Sequence, residues 1–181
     1  MKIIILLLLF YTFICPALAI DPPQLLYTGD KVSKSTEEIL LSGANLICDF
    51  YQDINFAIDI TNIKIRVFDS FENYKKYQKS NSNIKSDNGY YSKSNKEIVL
   101  FKNNNLVKTF FHEFNHYLMR SRISNPPKWI NEGLSEYFEE SHLTSEGTIS
   151  RHPQYGKIKR IKSWLQGDID KDLRWVISCS N

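Results

Sequence analysis

Cysteine is scarce in this chain: three in 181 residues, at positions 15, 48 and 179. That excludes a small fold stapled by a disulfide framework. No apolar run is long enough to cross a bilayer. The longest, Ile3 to Ile14, falls short of the roughly 20 residues that a helical span needs. Neither sign of charge dominates: 23 basic residues face 20 acidic ones, for a net charge of +3. Nothing in that balance calls for a nucleic-acid partner. There is no internal repeat, so a solenoid is excluded. Histidine is also rare, with four in the chain, which gives weight to any place where two fall together.

What is present is globular. Hydrophobic residues make up 42% and charged residues 24%, a balance that supports a packed core. The length suits one domain. The opening "MKIIILLLLFYTFICPALA" has a basic Lys2, an apolar run, a helix-breaking Pro16, and small residues at Ala17 and Ala19. That is the order of a secretory signal peptide, residues 1–19, cleaved after Ala19. A membrane anchor is the competing reading, and the short run argues against it. Cys15 follows Ile14 rather than a small residue, so a lipoprotein site is not expected. The expectation is a single domain over 20–181, secreted or periplasmic, with no stable membrane anchor after cleavage. Export leaves Cys48 and Cys179, which either pair or remain buried thiols; spacing alone does not choose.

Along the chain, "DPPQLLYTGDK" reads as an extended lead-in, because Pro22 and Pro23 forbid helix. From Ser35 the period becomes helical, with Ile39, Leu40, Leu46, Ile47 and Phe50 on one stripe and Gly43 placed for close packing. Ile63 to Phe68 alternates apolar and basic, as a half-buried strand does. Ser70 caps a helix in which Phe71, Tyr74 and Tyr77 share a face. "YYSKSNKEIVLF" reads as a hairpin turning near Ser94 and Asn95. Beyond the central region, "GKIKRIKSWLQ" reads as a basic amphipathic helix. Helix, strand, helix, hairpin and three helices make an α+β domain, with a small sheet against the helices.

The chemistry concentrates in "HEFNHYLMRSRISNPPKWINEGLSEYFEE", His112 to Glu140. On a helix from Leu106 to Arg120, the residues Val107, Phe110, Phe111, Phe114 and Leu118 gather on one side. His112, Glu113 and His116 gather on the other. Two histidines at i and i+4 can reach one metal ion. Glu113 is offset from them and suits a general base acting on water beside that ion. Pro126 and Pro127 then open a second helix. Its apolar side is expected to carry Trp129, Ile130, Leu134, Tyr137 and Phe138. Antiparallel packing of the two helices would return Glu132 toward the histidines as a third ligand. Glu136, one turn on, would orient a ligand imidazole. Glu139 and Glu140 read as solvated surface. The hairpin just before the first helix could offer a sheet edge to a peptide.

"HEFNH" followed by "WINEGLSEYF" resembles the gluzincins, the thermolysin-like zinc metallopeptidases. "PPKWINEGLSEYF" is closer to the small bacterial peptidase MA-like domains, which also carry a Gly-Tyr-Tyr hairpin like Gly89–Tyr91. The resemblance covers about residues 63–140. It implies a small zincin domain with a short sheet packed on the HExxH helix, one zinc ion per chain, and hydrolysis of peptides or proteins. It implies His112, His116 and Glu132 as ligands, Glu113 as general base toward a zinc-activated water, and Glu136 as partner of a ligand histidine. Little sequence follows Glu140, so a shallow, open cleft is expected. An oxyanion-stabilising side chain would come from Tyr155, His142 or His152, between which the sequence does not decide. The alternative is a secreted zinc-containing binding module, or a toxin-like protein with no general peptidase turnover. Glu113 argues against it, because a purely structural site has no use for a base.

Overall fold

The structure is a computed structural model that describes residues 23–143 and 149–151, except 55, 57, 59, 61 and 62. In chain order the elements are β1 (Gln24–Thr28), α1 (Lys34–Asp53), β2 (Lys64–Phe68), α2 (Phe71–Asn81), β3 (Gly89–Ser92), β4 (Glu97–Phe101), α3 (Leu106–Arg122), α4 (Lys128–Glu139), β5 (Ser141–Leu143) and β6 (Ile149–Arg151). The architecture is α+β. The expected signal peptide, Cys179, Tyr155, His152 and the basic amphipathic segment lie outside the described residues. His142 falls in β5, but its side chain also lies outside them. No described helix is long and apolar enough to cross a membrane.

Four strands form one sheet in the order β1-β2-β4-β3. The first three are parallel, and β3 folds back antiparallel on β4 as the outer strand. The extended lead-in is thus more than a leader to α1: Leu25, Leu26 and Tyr27 add a strand to the free side of β2. The hairpin is where its pattern placed it, with Tyr91 opposite Ile98 and Tyr90 opposite Val99. Its four-residue connection, residues 93–96, closes through Lys96 at a positive φ of 47°.

The period of two sorts each strand between two cores. Ile65, Val67, Ile98 and Leu100 face α1 and α3 in the larger cluster. Phe68, Val99 and Tyr90 face α2 and its Tyr74. On that second side the alternation buries a charge. Glu97 is only 2% exposed, and it is matched by Arg66 at 2.8 Å and by the Tyr77 hydroxyl at 2.7 Å. Burial with paired, hydrogen-bonded partners is the arrangement that makes such a carboxylate tolerable.

Helices α1 and α2 each bury one face, but on α2 that face is Tyr74 and Gln78, and Phe71 of the expected stripe is exposed. Ser33 and Ser70 cap α1 and α2, accepting from the Thr36 and Asn73 amides. In α1 the stripe centres on Leu40, Ala44, Ile47, Cys48 and Tyr51. Cys48 forms no disulfide among the described residues. Burial, with a smaller push from Asp49, raises its thiol to about 12. Gly43 lies in the middle of α1 because α3 comes so close: a Cβ built there would overlap the Phe111 ring. Gly43→Ala should therefore destabilise the fold. Overpacking costs about 1–3 kcal/mol, and the roughly 1 kcal/mol that alanine gains in helix propensity offsets only part of it. The check is the urea midpoint, which should fall; a midpoint that rises would mean that α1 and α3 are not in this contact.

Candidate metal centre

The site is built where α4 crosses α3. Both helices are expected from their apolar stripes, but their interface is partly polar. The face that α4 buries is Asn131, Ser135 and Phe138. Trp129 and Tyr137, expected on its apolar side, are 49% and 39% exposed. The reason lies on α3. Asn115, fully buried between the two histidines, needs partners, and α4 supplies them. Its amide nitrogen donates to Ser135 Oγ at 2.8 Å and to the Asn131 carbonyl at 3.3 Å. Its carbonyl accepts from the Tyr51 hydroxyl of α1. A buried amide satisfied this way fixes how α4 is rotated. Phe138, against Phe50 and Tyr51, supplies the apolar anchor.

That rotation brings Glu132 back over the two histidines. One Glu132 carboxylate oxygen lies 3.7 Å from His112 Nε2 and 3.7 Å from His116 Nε2. The candidate ligand atoms of His112, His116 and Glu132 all fall within 4.8 Å of one another. Tetrahedral ligands about 2.0–2.1 Å from a zinc ion stand roughly 3.4 Å apart. The trio is therefore a His-His-Glu group close enough to hold one metal ion, and small side-chain adjustments suffice. The two rings are perpendicular, their centroids 4.8 Å apart, so their nitrogens can aim at one point without stacking.

Each imidazole is held from behind by α4. His112 Nδ1 meets Glu139 Oε2 at 3.1 Å, and His116 Nδ1 meets Ser135 Oγ at 3.0 Å. A proton on each Nδ1 leaves each Nε2 as a lone pair facing Glu132, which is the form a metal takes. The groups behind the two imidazoles in these two hydrogen bonds are Glu139 and Ser135. Glu139 is not solvated surface as its position suggested, and Glu140 pairs with Lys108 at 3.2 Å. Sequence reasoning missed Ser135 and Asn115, although both sit inside the two motifs. The signal was a polar residue at a helical position that should face the core.

Charge at the site is tuned by burial. Burial lowers the His116 pKa, with Glu132 opposing it, and so favours the neutral, ligating imidazole. At His112 burial also pulls down, but Glu139, Glu113 and Glu132 overcome it and leave the pKa raised. Glu113 stands beside the trio and is not part of it. Burial pushes its carboxyl up to about 7, against the pull of His112 and of a backbone hydrogen bond. That bond comes from the Tyr91 amide of β3, 2.9 Å from Glu113 Oε2. A groove of about 320 Å³ opens here, with Tyr91, Glu113, His116 and Arg120 among its lining.

No protein-family model matches the chain, and neither does any curated protein.

If Asn115 sets the crossing, replacing it should disturb both fold and centre. Asn115→Leu strands a buried hydroxyl and a buried carbonyl, each costing about 1–3 kcal/mol. It also frees Ser135 from its position behind His116, a change expected to weaken metal binding about 10–100-fold. Denaturant unfolding and a competitive metal titration read the two effects. Unchanged metal affinity in a folded Asn115→Leu protein would show that the α3–α4 crossing does not depend on it.

Proposed function

We propose that the protein is an exported zinc metallopeptidase of the gluzincin type, hydrolysing peptide bonds at the His112–His116–Glu132 centre. The observation that carries this reading is the separation of jobs among the carboxylates. Glu132 lies 3.7 Å from both Nε2 atoms, whereas Glu113 is turned to the β3 amide. Two imidazoles and one carboxylate are a donor set that suits zinc and leaves a position open. When bound, zinc supplies Lewis acidity: it polarises a carbonyl and makes water acidic near neutral pH.

The chain's own residues do the rest. Glu113, with its carboxyl pushed up to about 7, is matched to exchanging protons near neutrality. It takes the proton from the attacking water and delivers it to the amine nitrogen that leaves. Ser135 and Glu139 keep both Nε2 atoms turned inward. The substrate is aligned by β3. The Phe101 amide donates to the Asn88 carbonyl at 2.8 Å, and alternation along an antiparallel pair then turns the N–H and C=O of Gly89 and Tyr91 away from β4. The Tyr91 N–H holds Glu113, so the carbonyls of Gly89 and Tyr91 are the groups that aim outward to receive peptide N–H donors. Gly89 itself has no room for a side chain: a Cβ would stand 2.8 Å from both Leu100 and Thr109. The partner is thus an extended peptide or a loop of a protein, and no nucleic acid is invoked.

The two carboxylates give the test. Glu113→Gln should retain zinc while losing about 10²–10⁴-fold in turnover, because the amide keeps shape and loses basicity. Glu132→Gln should lose metal and activity together. Zinc content and peptide turnover, measured on both variants, decide. Loss of zinc in Glu113→Gln with retention in Glu132→Gln would reverse the assigned roles.

A further inference from the structure

The groove beside β3 is not electrically neutral along its length. Glu113 is the one carboxylate among its described lining residues, and it sits near the middle, against Tyr91. At the far end, past the last residue of β3, stand two cations, Lys93 and Arg120. Lys93 is the first residue of the hairpin connection, and its ammonium is tied to the Ser124 carbonyl at 3.1 Å, beyond the end of α3. Arg120 is one helical turn beyond His116 on α3 and is exposed. It forms no ion pair among the described residues. Helix α3 runs alongside β3 in the same sense. Thr109 lies by Gly89, Glu113 by Tyr91, and Ser124 by Lys93. The catalytic centre and the cationic end therefore occupy successive stations along one line.

This order has a consequence for a peptide added to the open side of β3. In antiparallel pairing, the better bonded of the two modes, the peptide runs opposite to the Gly89-to-Ser92 direction. The bond to be cut lies near Glu113 and Tyr91. Residues on its N-terminal side then pass Lys93 and Arg120. We propose that Lys93 and Arg120 form a subsite for a carboxylate side chain, Asp or Glu, on the N-terminal side of the cleaved bond. The proposal rests on the peptidase reading and adds its substrate class. Arg120 presents a planar fork that grips a carboxylate with two hydrogen bonds, and Lys93 adds a second positive charge to the same groove. The same pair repels the ammonium of a free N-terminus. The activity is therefore endopeptidase activity within acidic segments, and a bond next to a free N-terminus is a poor substrate.

The test is a peptide library, digested by zinc-loaded mature protein, with the residues on both sides of each cut read by mass spectrometry. Cuts should follow Asp or Glu on the N-terminal side, with kcat/KM about tenfold above matched Lys peptides, the scale of one partly screened charge pair. The preference should shrink in high salt. Arg120→Glu should invert the ratio of acidic to basic peptides. Blocking the N-terminal amine of short peptides by acetylation should raise their turnover. Cutting with no charge preference, or with an acidic preference confined to the C-terminal side, overturns this subsite and leaves the peptidase reading standing. No cutting of any library peptide overturns the peptidase reading, and this proposal with it.

Discussion

One buried amide brings the three candidate metal ligands of this molecule together. The i, i+4 spacing of His112 and His116 makes a pair of imidazoles, and a pair is not a centre. The third group must come from another helix at a defined rotation. Asn115 sets that rotation. It lies fully buried on the same helix, is reached from α1 by Tyr51, and grips Ser135 and the Asn131 carbonyl on α4. An apolar residue there would tolerate several rotations of α4, because dispersion contacts are non-directional. Hydrogen bonds to a buried amide tolerate few, since each unmatched partner is costly. Ser135 then serves twice, holding Asn115 on one side and His116 Nδ1 on the other.

A second constraint is electrostatic. Glu113, Glu132 and Glu139 crowd the two imidazoles, and burial works against charge on Glu113 and on both rings. The Glu113 carboxyl rises to about 7, and the neutral form of His116 is favoured. Such a cluster is poorly compensated by itself and gains most from a divalent cation. The sheet contributes to the same balance. The Tyr91 amide stabilises the charged form of Glu113 while burial opposes it, which places its proton exchange near neutral pH. A single strand thus orients the Glu113 carboxylate and, in the proposed peptidase, would offer its outer side to the chain to be cut.

Much of this was legible in the sequence, for reasons of range. The helical stripes, the Ser70 cap, the hairpin and the His112–Glu113–His116 grouping depend on residues within one or two turns of each other. Those patterns survive whatever the tertiary fold does. Glu132 was reachable because a short link between two helices forces antiparallel neighbours. What was not legible depended on the rotation of α4. Trp129 and Tyr137 look like core residues by period, yet the Asn115 contacts turn them outward. Glu139 looks like surface by composition, yet the same rotation carries it to His112 Nδ1. Strand β1 was hidden because its short apolar run acquires meaning only when β2 offers a side to pair with. Gly43 could be suspected of close packing, but its neighbour Phe111 could not be named from 68 residues away.

If the proposed function holds, a single cation is held jointly by the two helices. Crystals of the protein grown with zinc, with anomalous diffraction collected on both sides of the zinc absorption edge, give the test. One strong anomalous peak is expected about 2.0–2.2 Å from His112 Nε2, His116 Nε2 and a Glu132 oxygen, with Glu113 outside bonding distance. A map with no peak there, or with its peak at another group of side chains, would contradict it.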